Sequence, residues 1–142
     1  MDLHPALAAT GLIHRVSREL TTTLERQLAP HEITAQQAAL LINAARGQTS
    51  PKQLTLLLGT DTAGMTRLLD RLEAKGLARR RANPDDRRAL VIEVTQEGQA
   101  LVPHVAPVFG RTAQHLLAGF SPAEISQLTG LLQRMLANLP PD

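Results

Sequence analysis

The 142-residue sequence predicts a mainly α-helical fold interrupted once by a small β-hairpin. Three observations carry that prediction. Apolar residues recur at three-to-four-residue steps over most of the chain, the period of one buried helix face. Capping residues stand where those stripes begin, and glycine or proline stands where they end. One segment departs from the period: residues 77–94, where two short runs flank Asn83-Pro84-Asp85-Asp86. That tetrapeptide supplies turn chemistry.

Taken in order, Leu3, Leu7, Ile13, Val16, Leu20, Leu24 and Leu28 predict a long amphipathic helix over about residues 3–29, closed before Pro30. Thr34 with Gln37 forms a capping box that opens a second helix, with Ala38, Leu40, Leu41 and Ala44 on its apolar face and Gly47 as its stop. Ser50-Pro51-Lys52-Gln53 repeats the device for a short third helix ended by Gly59. Thr60 or Asp61 caps a fourth helix to about Lys75, which turns Leu68, Leu69 and Leu72 inward and stops at Gly76. Strands follow at 77–81 and 89–94; in the second, Leu90, Ile92 and Val94 face inward, opposite Val91 and Glu93. Thr95 caps a fifth helix. Ser121-Pro122-Ala123-Glu124 caps a sixth, whose stripe runs from Ile125 to Leu139 until Pro140-Pro141 ends it. The order is α-α-α-α-β-β-α-α. The terminal stripes have little left inside one chain to cover them, so a second copy is the expected partner.

Composition narrows the function. Hydrophobic residues make up 43% of the chain, but Phe109 and Phe120 are its only aromatics, so the core is aliphatic and a base-stacking platform is not expected. Zero cysteines remove disulfides, thiolate chemistry and Cys-based zinc sites. No apolar run is long enough to span a membrane, and the N-terminal residues do not read as a signal peptide. A cytoplasmic location is therefore expected. His4, His14, His31, His104 and His115 show no metal-ligand spacing, so neither a metal nor a cofactor is expected.

Charge gathers in one place. Residues 67–88 hold eight Lys/Arg against four acids, a local excess of +4 in a chain whose total is +2. The third and fourth helices are joined by a short turn, as in a helix-turn-helix, where the second helix enters the DNA major groove. On the fourth helix Thr62, Ala63, Thr66, Arg67 and Arg71 lie opposite the leucines, at and just beyond the positive helix end that favours phosphate. Arg67 has the reach to pair bidentately with a guanine. Arg81 lies on the first strand, and Arg87 and Arg88 stand at the hairpin tip, where an arginine can enter a narrow minor groove. Asp86, two residues before Arg88, is placed to hold that arginine by a charge-assisted hydrogen bond. The module is a winged helix-turn-helix.

The matching segments are ITAQQAALL, MTRLLDRLEAKGL and ARRRANPDDRRALVIEVTQEGQAL. On these the chain resembles the MarR family of winged-helix transcriptional regulators, closely over about residues 33–101 and in pattern alone beyond. The resemblance implies a homodimer built from residues 1–30 and 100–142, with residues 31–99 as the DNA-binding domain. It implies repression at a pseudo-palindromic site in double-stranded DNA, relieved by a small aromatic or anionic effector. It also brings His14, Arg15 and Arg18 forward as effector contacts, because some members bind carboxylates at the domain junction.

Three features depart from the family pattern. Gly64 stands inside the recognition helix, at a cost of ~1 kcal/mol relative to Ala, with close approach to the DNA backbone as the expected compensation. Pro103, Pro107 and Gly110 predict a bend or break in the fifth helix. The lack of cysteine excludes the peroxide-sensing subgroup. An enzyme is not expected: no paired carboxylates, phosphate loop or nucleophile-base arrangement is present. The alternative is a winged-helix protein-interaction module, which an apolar patch beside the wing would favour.

Overall fold

The computed structural model describes residues 1–140. Six helices and one hairpin follow in the expected order: α1 Leu3–Leu28, α2 Ala35–Ala45, α3 Pro51–Leu58, α4 Thr62–Ala74, β1 Ala78–Ala82, β2 Leu90–Val94, α5 Gln96–Leu116 and α6 Pro122–Asn138. A 3-10 turn, Ala29–His31, joins α1 to α2. Pro141, half of the expected C-terminal stop, lies outside the described residues.

The helix starts are chemically explicit. Thr34 and Ser121 each form a complete capping box, and Ser50, Asp61 and Thr95 each accept an amide hydrogen bond from three residues on. Glu25 of α1 also accepts the Ala35 N–H at 2.8 Å, so α1 helps to cap α2. Gly59 ends α3 at φ 63°, where a side chain would be strained.

β1 and β2 pair antiparallel, with Ala78 opposite Val94 and Ala82 opposite Leu90. The Ile92 N–H donates to Thr49 O at 2.9 Å, which ties the hairpin to the segment before α3. Ile92 is buried and Val94 half-buried, as the alternation predicts, but Leu90 is 51% exposed. The inward assignment of Leu90 is thus corrected. It lies at the tip end of the ladder, beyond the reach of the core.

The core sits under the helix-turn-helix. Leu40 and Leu41 of α2, Leu54 of α3, Leu72 of α4, Ile92 of β2 and Val105 of α5 are essentially inaccessible, and Leu28 closes it from α1. Burying each such side chain stabilises the fold by about 1.5–3 kcal/mol. The outer helices are different. Only Leu24 and Leu28 of the 26-residue α1 are buried, and α6 buries no residue.

The expected break in α5 is absent: one helix passes through Pro103 and Pro107. Each proline removes one amide donor, freeing the carbonyls of Gln99 and Pro103. Both rings lie on the exposed face, so water can serve those carbonyls and the helix survives.

Candidate nucleic-acid interface

α4 divides into two faces. Gly64, Met65, Leu68, Leu69 and Leu72 are buried, while Thr62, Ala63, Thr66, Arg67, Asp70 and Arg71 are exposed. The Asp61 carboxylate accepts the Gly64 N–H at 2.6 Å, fixing the N-terminal end of that exposed face. Thr66 donates its hydroxyl to Thr62 O at 3.0 Å, so it offers a ligand its methyl group and acceptor lone pairs. Gly64 also finds its reason here. A Cβ on it would lie 2.1 Å from Thr60 Oγ1 and 3.0 Å from Asp61 Oδ1. The missing side chain makes room for Thr60 and for the Asp61 cap.

The wing tip is a nest of turns. Asn83 accepts the Asp85 N–H on its side chain at 3.0 Å and the Asp86 N–H on its carbonyl at 3.2 Å. Asp86 accepts the backbone N–H of Arg88 at 3.1 Å. The expected grip of Asp86 on the Arg88 guanidinium is therefore corrected: the carboxylate shapes the backbone and leaves the arginine head free. Both Arg87 and Arg88 are exposed.

Much of the positive charge is spoken for. Arg79 pairs with Glu93 at 2.8 Å, and Arg81 pairs with the other oxygen of the same carboxylate. Arg79 first and Arg81 second hold Glu93 below the usual carboxylate range. Arg80 makes a fork: its Nε lies 2.9 Å from Glu73, and a terminal nitrogen reaches both Glu73 and Asp70. The Glu73 carboxyl is lowered by the Arg80 side chain first and its amide second, while the Arg80 guanidinium is pushed up by Glu73 and then Asp70. Lys75 donates to Glu32 O and to the buried Gln37 side chain, the latter at 2.8 Å. Of the eight cations in residues 67–88, four (Arg67, Arg71, Arg87 and Arg88) have no hydrogen-bond or ion-pair partner among the described residues. Two lie on α4 and two at the wing tip.

These attachments were hidden from sequence reading. Asp70 and Glu73, one turn apart on a helix that precedes a basic strand, are the local signal for the Arg80 fork. His31 and His104 also meet, with ring centroids 6.3 Å apart, though nothing local links positions so distant in sequence. The α1 residues do not converge. His14 lines an α1–α6 groove with Leu132 and Met135; Arg15 lines an α1–α5 groove with Thr112 and His115; Arg18 is exposed and lines neither. Among the described residues no His, Asp or Glu cluster is fit to hold a metal ion, and no helix is long and apolar enough to cross a membrane.

A helical recognition face beside a cationic hairpin tip defines a winged helix-turn-helix protein. Comparison with known proteins refines the class. The family model described as "MarR family" matches residues 31–89. The multiple antibiotic resistance protein MarR of Escherichia coli K12 is 32% identical over 138 residues, covering 95% of this chain and 96% of that protein. The crystal structure of an E. coli MarR cysteine-to-serine mutant with operator DNA aligns at TM-score 0.79 and 29% identity, covering 96% of this chain and 99% of that one. The Staphylococcus aureus MepR–DNA complex aligns at TM-score 0.81 and 26% identity, covering 91% and 94%. The chain belongs to the MarR family of transcriptional regulators, and not to an enzyme class.

Proposed function

We propose that this protein binds double-stranded DNA sequence-specifically as a homodimer, represses transcription from a pseudo-palindromic operator, and is released by a small aromatic or anionic effector. The observation that carries the reading is the division of the four unpaired arginines. Arg67 and Arg71 share the exposed face of α4 with Thr62, Ala63 and Thr66, while Arg87 and Arg88 stand on the wing. The α4 set fits base edges and phosphates of the major groove, and the wing pair fits the adjacent minor groove. Arg81, half-neutralised by Glu93, has a supporting electrostatic role, and Asp86 shapes the tip. Solved complexes of E. coli MarR and S. aureus MepR with DNA support this reading.

Residues 31–99 form the reading head and residues 1–30 with 100–142 the dimerisation region. The exposed apolar residues of the terminal helices support that division: Leu3, Leu7, Leu12 and Val16 on α1, and Leu131, Leu132, Met135 and Leu136 on α6. A cytoplasmic location accords with a DNA target. For the effector, Arg15 and His14 each line a mostly apolar groove, of about 290 and 400 Å³, while Arg18 lines neither; Glu19 shares the Arg15 groove.

The second reading, a protein-interaction module, draws on Leu56, Leu57 and Leu90, all more than half exposed on α3 and the wing. Selection of bound fragments from random-sequence duplex DNA separates the two, and repeating it with a panel of aromatic acids tests release. Enrichment of an inverted repeat supports the operator reading. Recovery of no preferred duplex favours the interaction module.

A further inference from the structure

We propose that Arg80 makes no DNA contact and instead cancels the charge of Asp70 on the DNA-facing side of α4, fastening the wing to that helix as it does so. The inference rests on the DNA-binding reading above. Asp70 is the one acid on the exposed face of α4, three residues after Arg67 and next to Arg71. A bare carboxylate there would repel incoming phosphates. It would also draw Arg67 onto itself, since residues three apart on a helix are neighbours. Among the described residues, Arg80 is the only cation that reaches it.

Arg80 is set up for that task and unlike its neighbours. Its side chain is 28% exposed, against 60% for both Arg79 and Arg81. The Arg80 amide donates to Glu73 Oε1 at 2.8 Å, and the guanidinium donates to both Glu73 oxygens as well as to Asp70. Backbone and side chain thus bind β1 to the last turns of α4. The planar fork, with its five donors in fixed directions, can serve two carboxylates at once. In the middle of the Arg79–Arg81 run, one arginine works inward so that Arg67 and Arg71 can work outward.

The test uses the full-length chain and a duplex recovered by the parent protein from a random pool. Affinity is measured across salt for the parent, Arg80→Gln, Asp70→Asn, the double variant and Arg80→Lys, with urea unfolding alongside. Arg80→Gln should bind about fivefold more weakly, with the salt slope unchanged. Asp70→Asn should stay within about twofold of the parent, and adding it to Arg80→Gln should restore affinity to that range. Arg80→Lys keeps the charge and should also stay close to the parent. An Arg80 that touched phosphate would instead lower the salt slope by about one unit on substitution, with no rescue by Asp70→Asn, and that result overturns the proposal. Should Arg80→Gln fail to fold, a folded Arg80→Lys that binds fivefold more weakly overturns it equally. A parent that enriches no duplex removes the DNA-binding reading itself, an outcome distinct from parent-like binding by every Arg80 variant, which removes only the role of Arg80.

Discussion

At the scale of single residues, the useful distinction is between arginines that the fold consumes and arginines that it leaves free. Arg67 and Arg88 are both free but stand on different elements, so their loss should read differently. Arg67→Ala should change base preference at one position of each half-site and cost about 1–3 kcal/mol there. Arg88→Ala should weaken binding across sequences and reduce the salt dependence. Competition binding with single-base operator variants checks both. Gly98 is a second kind of residue, fixed by space. A Cβ on it would lie 2.1 Å from the Leu77 carbonyl oxygen. Thr95 locks the same junction, accepting the Gly98 N–H at 3.1 Å and donating to Gly76 O at 2.6 Å. The Thr-x-x-Gly run therefore records a contact between the start of α5 and the entry to β1. Gly98→Ala should cost about 1–3 kcal/mol, the usual range for overpacking, seen as a lower urea midpoint.

Helices and strands show what was legible in the sequence and why. Caps and stops are local chemistry, so Thr34, Ser50, Thr95 and Ser121 read correctly as helix starts, and of the two candidates Thr60 and Asp61 the structure selects Asp61. Removing one should have a local price: Asp61→Ala exposes the first amides of α4 and should cost about 1 kcal/mol in denaturant unfolding. Long-range chemistry was not legible. The partners of Lys75 and Glu25 lie on other elements and no local pattern names them, while for Arg80 the only local signal is the Asp70 and Glu73 pair one turn apart. Asp86 shows the same limit at short range, since spacing cannot say whether a carboxylate takes a side chain or an amide. Pro103 and Pro107 misled because the cost of proline depends on whether the freed carbonyls can meet water, a property of the packed helix.

The wing also carries a pH dependence. Glu73 and Glu93 are held below their ordinary value of 4.5 by Arg80, and by Arg79 with Arg81. A depressed carboxyl binds fewer protons folded than unfolded, so its stabilisation is full above about 4.5 and is lost as pH falls through the folded value. Unfolding midpoints should therefore drop below that pH, and Glu73→Gln should flatten the drop.

For the whole molecule, the fold is lopsided. The reading head holds most of the buried side chains, with Leu24, Leu28, Val105 and Val108 added from α1 and α5, while α6 and most of α1 keep their apolar stripes in solvent. If a second copy covers them, as proposed, assembly and stability should be linked. A charged substitution on α6, such as Leu132→Glu, should shift sedimentation from dimer to monomer and lower the thermal midpoint with it. The proposed dimer would also fix the spacing of the two reading heads. Hydroxyl-radical footprinting on a duplex selected by the protein tests that claim most directly. Two symmetric blocks of protection, centred about 10–10.5 base pairs (one helical turn) or a multiple apart, are the predicted result. A single unsymmetrical block, or no protection at a concentration where the protein is dimeric, would contradict it.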